Sequence, residues 1–316
     1  AFGRSALQKN TTGCKNTASG YMAMQCTTTG ADNTALGAQA LCLNTSGGCN
    51  TAIGKFALLQ ATTGHCNTAV GWNAMGGGNV TGKENTAVGA EAARYLASTC
   101  QNVAIGDLAM GTCTITGCRN TAVGYAAGRK HSSGRWNSTF GMYAGVEISS
   151  GERNTILGSF AGAAATSASD NVAIGTRSLY TNTASQNTAS GVYSLKANTT
   201  GTCNVAVGKD ALFANTTASG MTAVGKSALQ NNTTGAHNTA VGFLALYGNT
   251  TGVRNTALGR QAMQSNSGHD NTASGFYALH SNTSGSCNTA TGNFSLYANT
   301  TGCYNTASGF AALYVN

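Results

Sequence analysis

The chain of 316 residues contains no proline, and only 8% of it is charged. Missing proline, together with glycine that does not recur at every third residue, excludes a collagen-like triple helix. So little charge without proline also excludes the composition of ordinary disorder. Nine acidic residues cannot supply the Asp that calcium-binding RTX repeats place in every turn. The 17 Lys and Arg give a net charge of +8, but they form no basic run, so no nucleic-acid footprint is expected. No apolar stretch approaches the length of a bilayer span, which predicts no membrane insertion. The first residues, AFGRSALQKN, lack the apolar run of a signal peptide. Both they and the final FAALYVN fall in mid-repeat, as expected of a segment of a longer array.

What the chain does contain is one short sentence, repeated. Counting position 1 from the Asn of each NTAxG, repeats start at Asn16, Asn33, Asn50, Asn67, Asn85, Asn102, Asn120, Asn137, Asn154, Asn171, Asn187, Asn204, Met221, Asn238, Asn255, Asn271, Asn288 and Asn305. Spacing is 17 residues, occasionally 16 or 18, with the consensus N-T-A-V/S-G-x-x-A-L-x-x-N-T-T-G-x-x. A fixed short period is the signature of stacked repeats. Seventeen residues interrupted by two glycines are too few for a helical-pair repeat, and the aliphatic positions are too few for a leucine-rich one. The remaining reading is an all-β parallel β-solenoid of about 18 to 19 coils, a single elongated array over residues 1–316.

Each position then acquires a physical expectation. Position 5 is Gly in every copy, including Gly20, Gly37, Gly54, Gly71, Gly242 and Gly259. A corner with positive φ or a close backbone approach is predicted there. Position 8 is always Ala or Ser and must pass close to something. Position 4 is mostly Val, Ile, Leu or Phe and position 9 mostly Leu or Met, so these two are expected to form the core. Asn-Thr-Thr-Gly at positions 12 to 15 reads as a turn, its Asn bonding its own backbone and its Gly supplying positive φ. The Asn at position 1, as in Asn16, Asn33, Asn50, Asn67, Asn85, Asn102, Asn120, Asn238 and Asn255, is expected to stack as an amide ladder. Met221 should interrupt that ladder and leave amide neighbours unpaired. The small aliphatic content of each unit favours side-by-side association of copies, a parallel trimer or a filament.

These residues resemble the NTAVGYxALxxNTTG arrays of predicted tail-fibre and other surface-fibre proteins of phages and bacteria, over essentially the whole chain. More distantly, NVAIGDLAMG (102–111) and NVAIGTRSL (171–179) look like the head repeats of YadA-type trimeric autotransporter adhesins. The second likeness rests on about five residues per unit, and the period here is longer. What the resemblance implies is a parallel β-roll acting as a shaft or adhesive surface, extracellular or on a virion, without chemistry of its own.

Eleven cysteines fit two readings. Cys49/Cys66, Cys100/Cys118, Cys287/Cys303 and Cys26/Cys42 fall on successive repeats at nearly matching positions, a spacing that disulfides tolerate. Disulfide rungs would imply an oxidising, extracellular setting; otherwise Cys is a small residue filling a corner. No pair of CxxC motifs suggests zinc, no cofactor is expected, and five scattered His form no catalytic spacing. Hexapeptide β-helix acyltransferases, the enzymatic rival, need an aliphatic residue at every sixth position, which this chain does not offer.

Twelve Asn-X-Ser/Thr sequons occur, mostly at position 12, where turn chemistry explains them without glycans. Thr rows at positions 2, 13 and 14 raise an alternative, an ice- or glycan-binding module. One band, 120–165, is atypical: position 9 becomes Gly128, Gly145 and Gly162, and charge concentrates around Arg129, Lys130, His131, Trp136 and Tyr143. It reads either as a ligand-contact band or, preferred, as a repacked section in which Phe140, Leu157, Tyr143 and Phe160 restore the bulk.

Overall fold

A computed structural model describes residues 1–315. Among them there is no helix; each repeat is one turn of a parallel β-solenoid. The chain forms two compact units, divided after Ser159. The first holds nine strands, from β1 (Thr17–Ser19) to β9 (Thr155–Leu157), and the second holds nine more, from β10 (Val172–Ile174) to β18 (Thr306–Ser308). Each strand has only three residues, at positions 2 to 4. Within a unit every strand pairs in parallel with the next, in strict register: Thr17 faces Thr34, Ala18 faces Ala35 and Ser19 faces Leu36.

Register is locked because each coil bonds in both directions. In the coil beginning at Asn33, the Thr34 and Leu41 N–H groups donate forward to Asn50 O (2.8 Å) and Ala57 O (2.9 Å). The Gly37 and Gln39 N–H groups donate backward to Ser19 O and Tyr21 O, both at 2.8 Å. Side chains in an extended segment alternate between faces. Position 3, almost always Ala, therefore points inward and is buried, while positions 2 and 4 point outward.

This corrects the expected core. Position 9 is buried as predicted, in Met24, Leu41, Leu58 and Met75. Position 4 is not: Leu36, Ile53, Val88 and Ile105 lie on the surface. The interior is built from Ala at positions 3 and 8, the position 9 side chain, a column of buried Asn at position 1 and, in the second unit, another at position 12.

The corner glycines are as expected on both counts. Gly20, Gly37, Gly54, Gly71, Gly242 and Gly259 have φ between +125° and +139°. A Cβ on Gly37 would lie 2.7 Å from the backbone of Gly54. The second predicted glycine role fails: Gly30 and Gly47, at position 15, do not have positive φ. They are small because the inner corner is crowded; a Cβ on Gly30 would sit 2.9 Å from the Asn44 amide nitrogen.

Left-handed backbone occurs instead at positions 7, 9 and 17, as in Gln39 (+57°), Leu41 (+52°) and Cys49 (+58°). Each non-glycine residue in that region costs roughly 1–2 kcal/mol; the bonds to both neighbouring coils hold it there. That geometry explains the atypical band. Gly128, Gly145 and Gly162 have φ of +52°, +56° and +54°, the conformation Leu is forced to adopt in other coils.

Candidate functional site

The position 1 Asn ladder is the most regular polar feature. Asn16 Oδ1 accepts both the backbone N–H of Asn33 (3.0 Å) and its side-chain amide (3.1 Å). Asn33 Nδ2 also donates to Gly47 O at 2.9 Å, so each amide ties two coils and closes a turn. The pattern repeats at Asn50, Asn67, Asn85, Asn102 and Asn120. In the second unit Asn238 Oδ1 accepts the Asn255 N–H at 2.8 Å.

Met221 does not leave its neighbours unpaired, contrary to expectation. Its N–H donates to Asn204 Oδ1 (3.0 Å), and its sulfur accepts the Asn238 N–H at 3.4 Å. Asn238 Nδ2 meanwhile donates to the carbonyls of Gly235 and Gly252.

A second ladder stands where only a turn was expected. The Asn at position 12 bonds its own backbone as predicted, Asn198 Nδ2 reaching Gly201 O at 2.9 Å. It is also buried and bonds its counterpart in the preceding coil. Asn215 donates to Asn198 (2.8 Å), Asn232 to Asn215 (3.2 Å) and Asn249 to Asn232 (2.8 Å). The signal for this was the recurrence of Asn at position 12 in every repeat from Asn182 to Asn299. The sequons of this column are consequently closed to glycosylation: Asn44, Asn198, Asn215, Asn232, Asn249, Asn282 and Asn299 are buried, and only Asn10 is exposed.

All eleven cysteines are free thiols. Cys100 and Cys118 come nearest to pairing, with Cys100 Sγ donating to Cys118 Sγ at 3.0 Å. That hydrogen bond, with some burial, holds the Cys100 thiol above its ordinary pKa. The Cys49 thiol is also raised, first by desolvation and then by Cys66. Cys287 and Cys303 are out of line, because Cys303 sulfur accepts the N–H of Ser286. Cys42 is buried and donates to Gln25 Oε1 at 3.8 Å; desolvation first, then Cys26, pushes its pKa up.

The band 120–165 does not converge on one site. Trp136 is exposed and lines a shallow groove with Cys100, Cys118, Arg119 and Arg135, to which Arg129, Lys130 and Tyr143 do not contribute. Lys130 pairs with Glu147 at 2.6 Å, and Tyr143 stacks edge-on against Tyr125 at 5.3 Å. Arg129 is half-buried.

His131 is not on the surface at all. It is buried at position 12, and neither ring nitrogen has a hydrogen-bond partner. Burial lowers its pKa to about 4. The band is a repacked section, but Phe140 and Leu157 are exposed and do not restore the bulk. Inward residues do: a Cβ on Gly128 would lie 2.8 Å from the His131 ring. A Cβ on Gly145 would lie 2.8 Å from both Ile148 and Thr139.

The threonine rows differ in what their hydroxyls do. At position 13 the hydroxyls of Thr11, Thr28, Thr45, Thr199, Thr216, Thr233 and Thr283 donate to the Thr carbonyl of the next coil. They are structural. At position 2, Thr34, Thr51 and Thr68 lie on the outward strand face with no such bond.

Among the described residues no group of three His, Cys, Asp or Glu could hold a metal, and no helix is long and apolar enough to cross a membrane. No model of a known protein family matches the chain, and no curated protein matches it either.

Proposed function

We propose that this chain is a mechanical element, the repeat shaft of an extracellular, cell-surface or virion-surface fibre, built by association of identical copies as a trimer or filament. It carries out no catalysis. The observation behind this reading is the two-way bonding of every coil, backbone and buried amide together, repeated with almost no variation. Such a stack resists extension and bending, because each coil is held to both neighbours by several parallel bonds. Repetition also supplies a multivalent surface for adhesion, with cell-surface glycans as candidate partners. Closing Cys100 and Cys118 into a disulfide outside the cell would add a covalent tie between adjacent coils.

The test is electron microscopy of the purified full chain combined with light scattering. Elongated particles containing more than one copy are expected; compact single copies would overturn the reading. A second reading, an ice-binding solenoid, draws on one observation, the outward Thr row at position 2 whose hydroxyls the fold does not use. Ice-crystal shaping by the wild-type chain would promote it, and a flat thermal-hysteresis result would remove it.

A further inference from the structure

The outward strand face is unusual in what it omits. The eighteen three-residue strands contain no charged residue, although the rest of the chain carries 17 basic and nine acidic side chains. A surface that merely faced water would share in that charge. In the first unit position 4 presents Leu36, Ile53, Val88, Ile105, Phe140 and Leu157, each 36–50% exposed, in register on paired strands. Beside this rank runs the position 2 row, mostly Thr.

We propose that this face of the first unit is a packing surface for a second copy of the same chain. The proposal rests on the self-associating reading above and names where association occurs. Three arguments carry it. Two copies of net charge +8 repel, so they approach most readily through a face free of charge. The face also has enough surface: nine coils of half-exposed aliphatic and Thr side chains offer on the order of 1,000 Å², against the roughly 800 Å² per partner of a stable interface. Finally, identical ranks of small and branched side chains, repeating at the same strand spacing on both partners, interdigitate in a dry contact. The second unit is less suited, since Ser190, Ser274, Thr291 and Ser308 occupy the same rank there.

The experiment uses light scattering after size exclusion on the full chain, across a range of concentration. The face variant is Ile53→Lys with Ile105→Lys; the control, Ser46→Lys with Ser98→Lys, adds the same charge at exposed sites off the strands. A milder pair, Ile53→Ser with Ile105→Ser, copies residues already present at position 4 and guards against misfolding, monitored by circular dichroism. Wild type and control are expected to associate, the Lys pair to be monomeric, and the Ser pair to weaken association about tenfold or more. Association of both face variants at wild-type strength overturns this surface and leaves the fibre reading standing. A wild type that is monomeric at every concentration overturns both. A monomeric wild type that shapes ice, with shaping lost in the Lys pair, assigns the face to water instead.

Discussion

The same inner corner is solved in two chemically opposite ways. In the first unit position 12 carries no Asn over a long stretch: Ala61, Leu96, His131 and Ile148 are buried there, with Val80 and Ile115 buried beside them in the two longest repeats. In the second unit Asn182, Asn198, Asn215, Asn232, Asn249, Asn266, Asn282 and Asn299 occupy it, all buried. The backbone path is nearly unchanged, for the position 12 N–H donates to the position 9 carbonyl in both, from Ala61 to Leu58 and from Asn198 to Leu195. Where its neighbours are amides too, a buried amide pairs along the column through both its oxygen and its nitrogen, as Asn215 and Asn232 do. The lesson is that this column is cooperative in composition. A lone aliphatic in the amide stretch is expected to leave amide groups on both sides short of a partner. Asn44 Oδ1, whose forward neighbour is Ala61, lacks a partner at the join; Asn249 Oδ1 lacks one too, although Asn232 and Asn266 flank it.

Placing an amide in the apolar stretch should have the largest effect. Leu96→Asn removes a fully buried aliphatic and strands a polar group in its place; a loss of about 4 kcal/mol is expected, measured by chemical denaturation. The converse, Asn232→Leu, removes the donor that Asn215 Oδ1 accepts from and one of the two acceptors of Asn249 Nδ2. About 3 kcal/mol should be lost, with amide hydrogen exchange accelerating in coils around residue 232 and not in the first unit. If Asn232→Leu is neutral, the column is not cooperative.

Acid should separate the units next. His131 titrates near 4 when folded, and near 6.5 when unfolded. Between those values the unfolded chain binds the proton that the folded chain refuses, so stability falls as pH drops from about 6.5 to 4 and levels off below. The full difference is about 3 kcal/mol, concentrated in the first unit. His131→Leu should flatten this slope in hydrogen exchange of residues 115–150 while the second unit is unaffected. A slope that survives the substitution would assign the acid sensitivity elsewhere.

Gly145→Ala tests the repacked band. It puts a methyl within 2.8 Å of Ile148 and Thr139 at a φ of +56°, and a loss of about 1–3 kcal/mol is expected by thermal melting. The smallest effect expected is a gain. Met221→Asn replaces a sulfur acceptor 3.4 Å from the Asn238 N–H with an amide that completes the ladder, which should stabilise by about 0.5–1 kcal/mol in the same assay.

Much of the fold was legible because it depends on invariance. A glycine that is never replaced, as from Gly20 to Gly309, and an Asn recurring with the coil period leave few alternatives to stacking. The functional surface was less legible. His131 looked like part of an exposed charged band because its neighbours Arg129 and Lys130 are hydrophilic, yet it stands at position 12, which faces the interior. Cys287 and Cys303 looked alignable by rung, but they stand at positions 17 and 16 of their repeats, and the Cys303 sulfur faces the Ser286 N–H.

Composition and period alone determined that each repeat is one coil, that the coils stack in parallel, and that position 5 tolerates no side chain. Only the tertiary structure decided which residues face inward. By hydrophobicity the Val, Ile and Leu of position 4 belong inside and the Ala of position 3 outside. The interior is too narrow for that arrangement: position 3 faces the position 9 side chain across the coil, as Thr139 faces Gly145. Alanine fits the gap, the aliphatic is turned out, and its exposure gives the chain a surface to share.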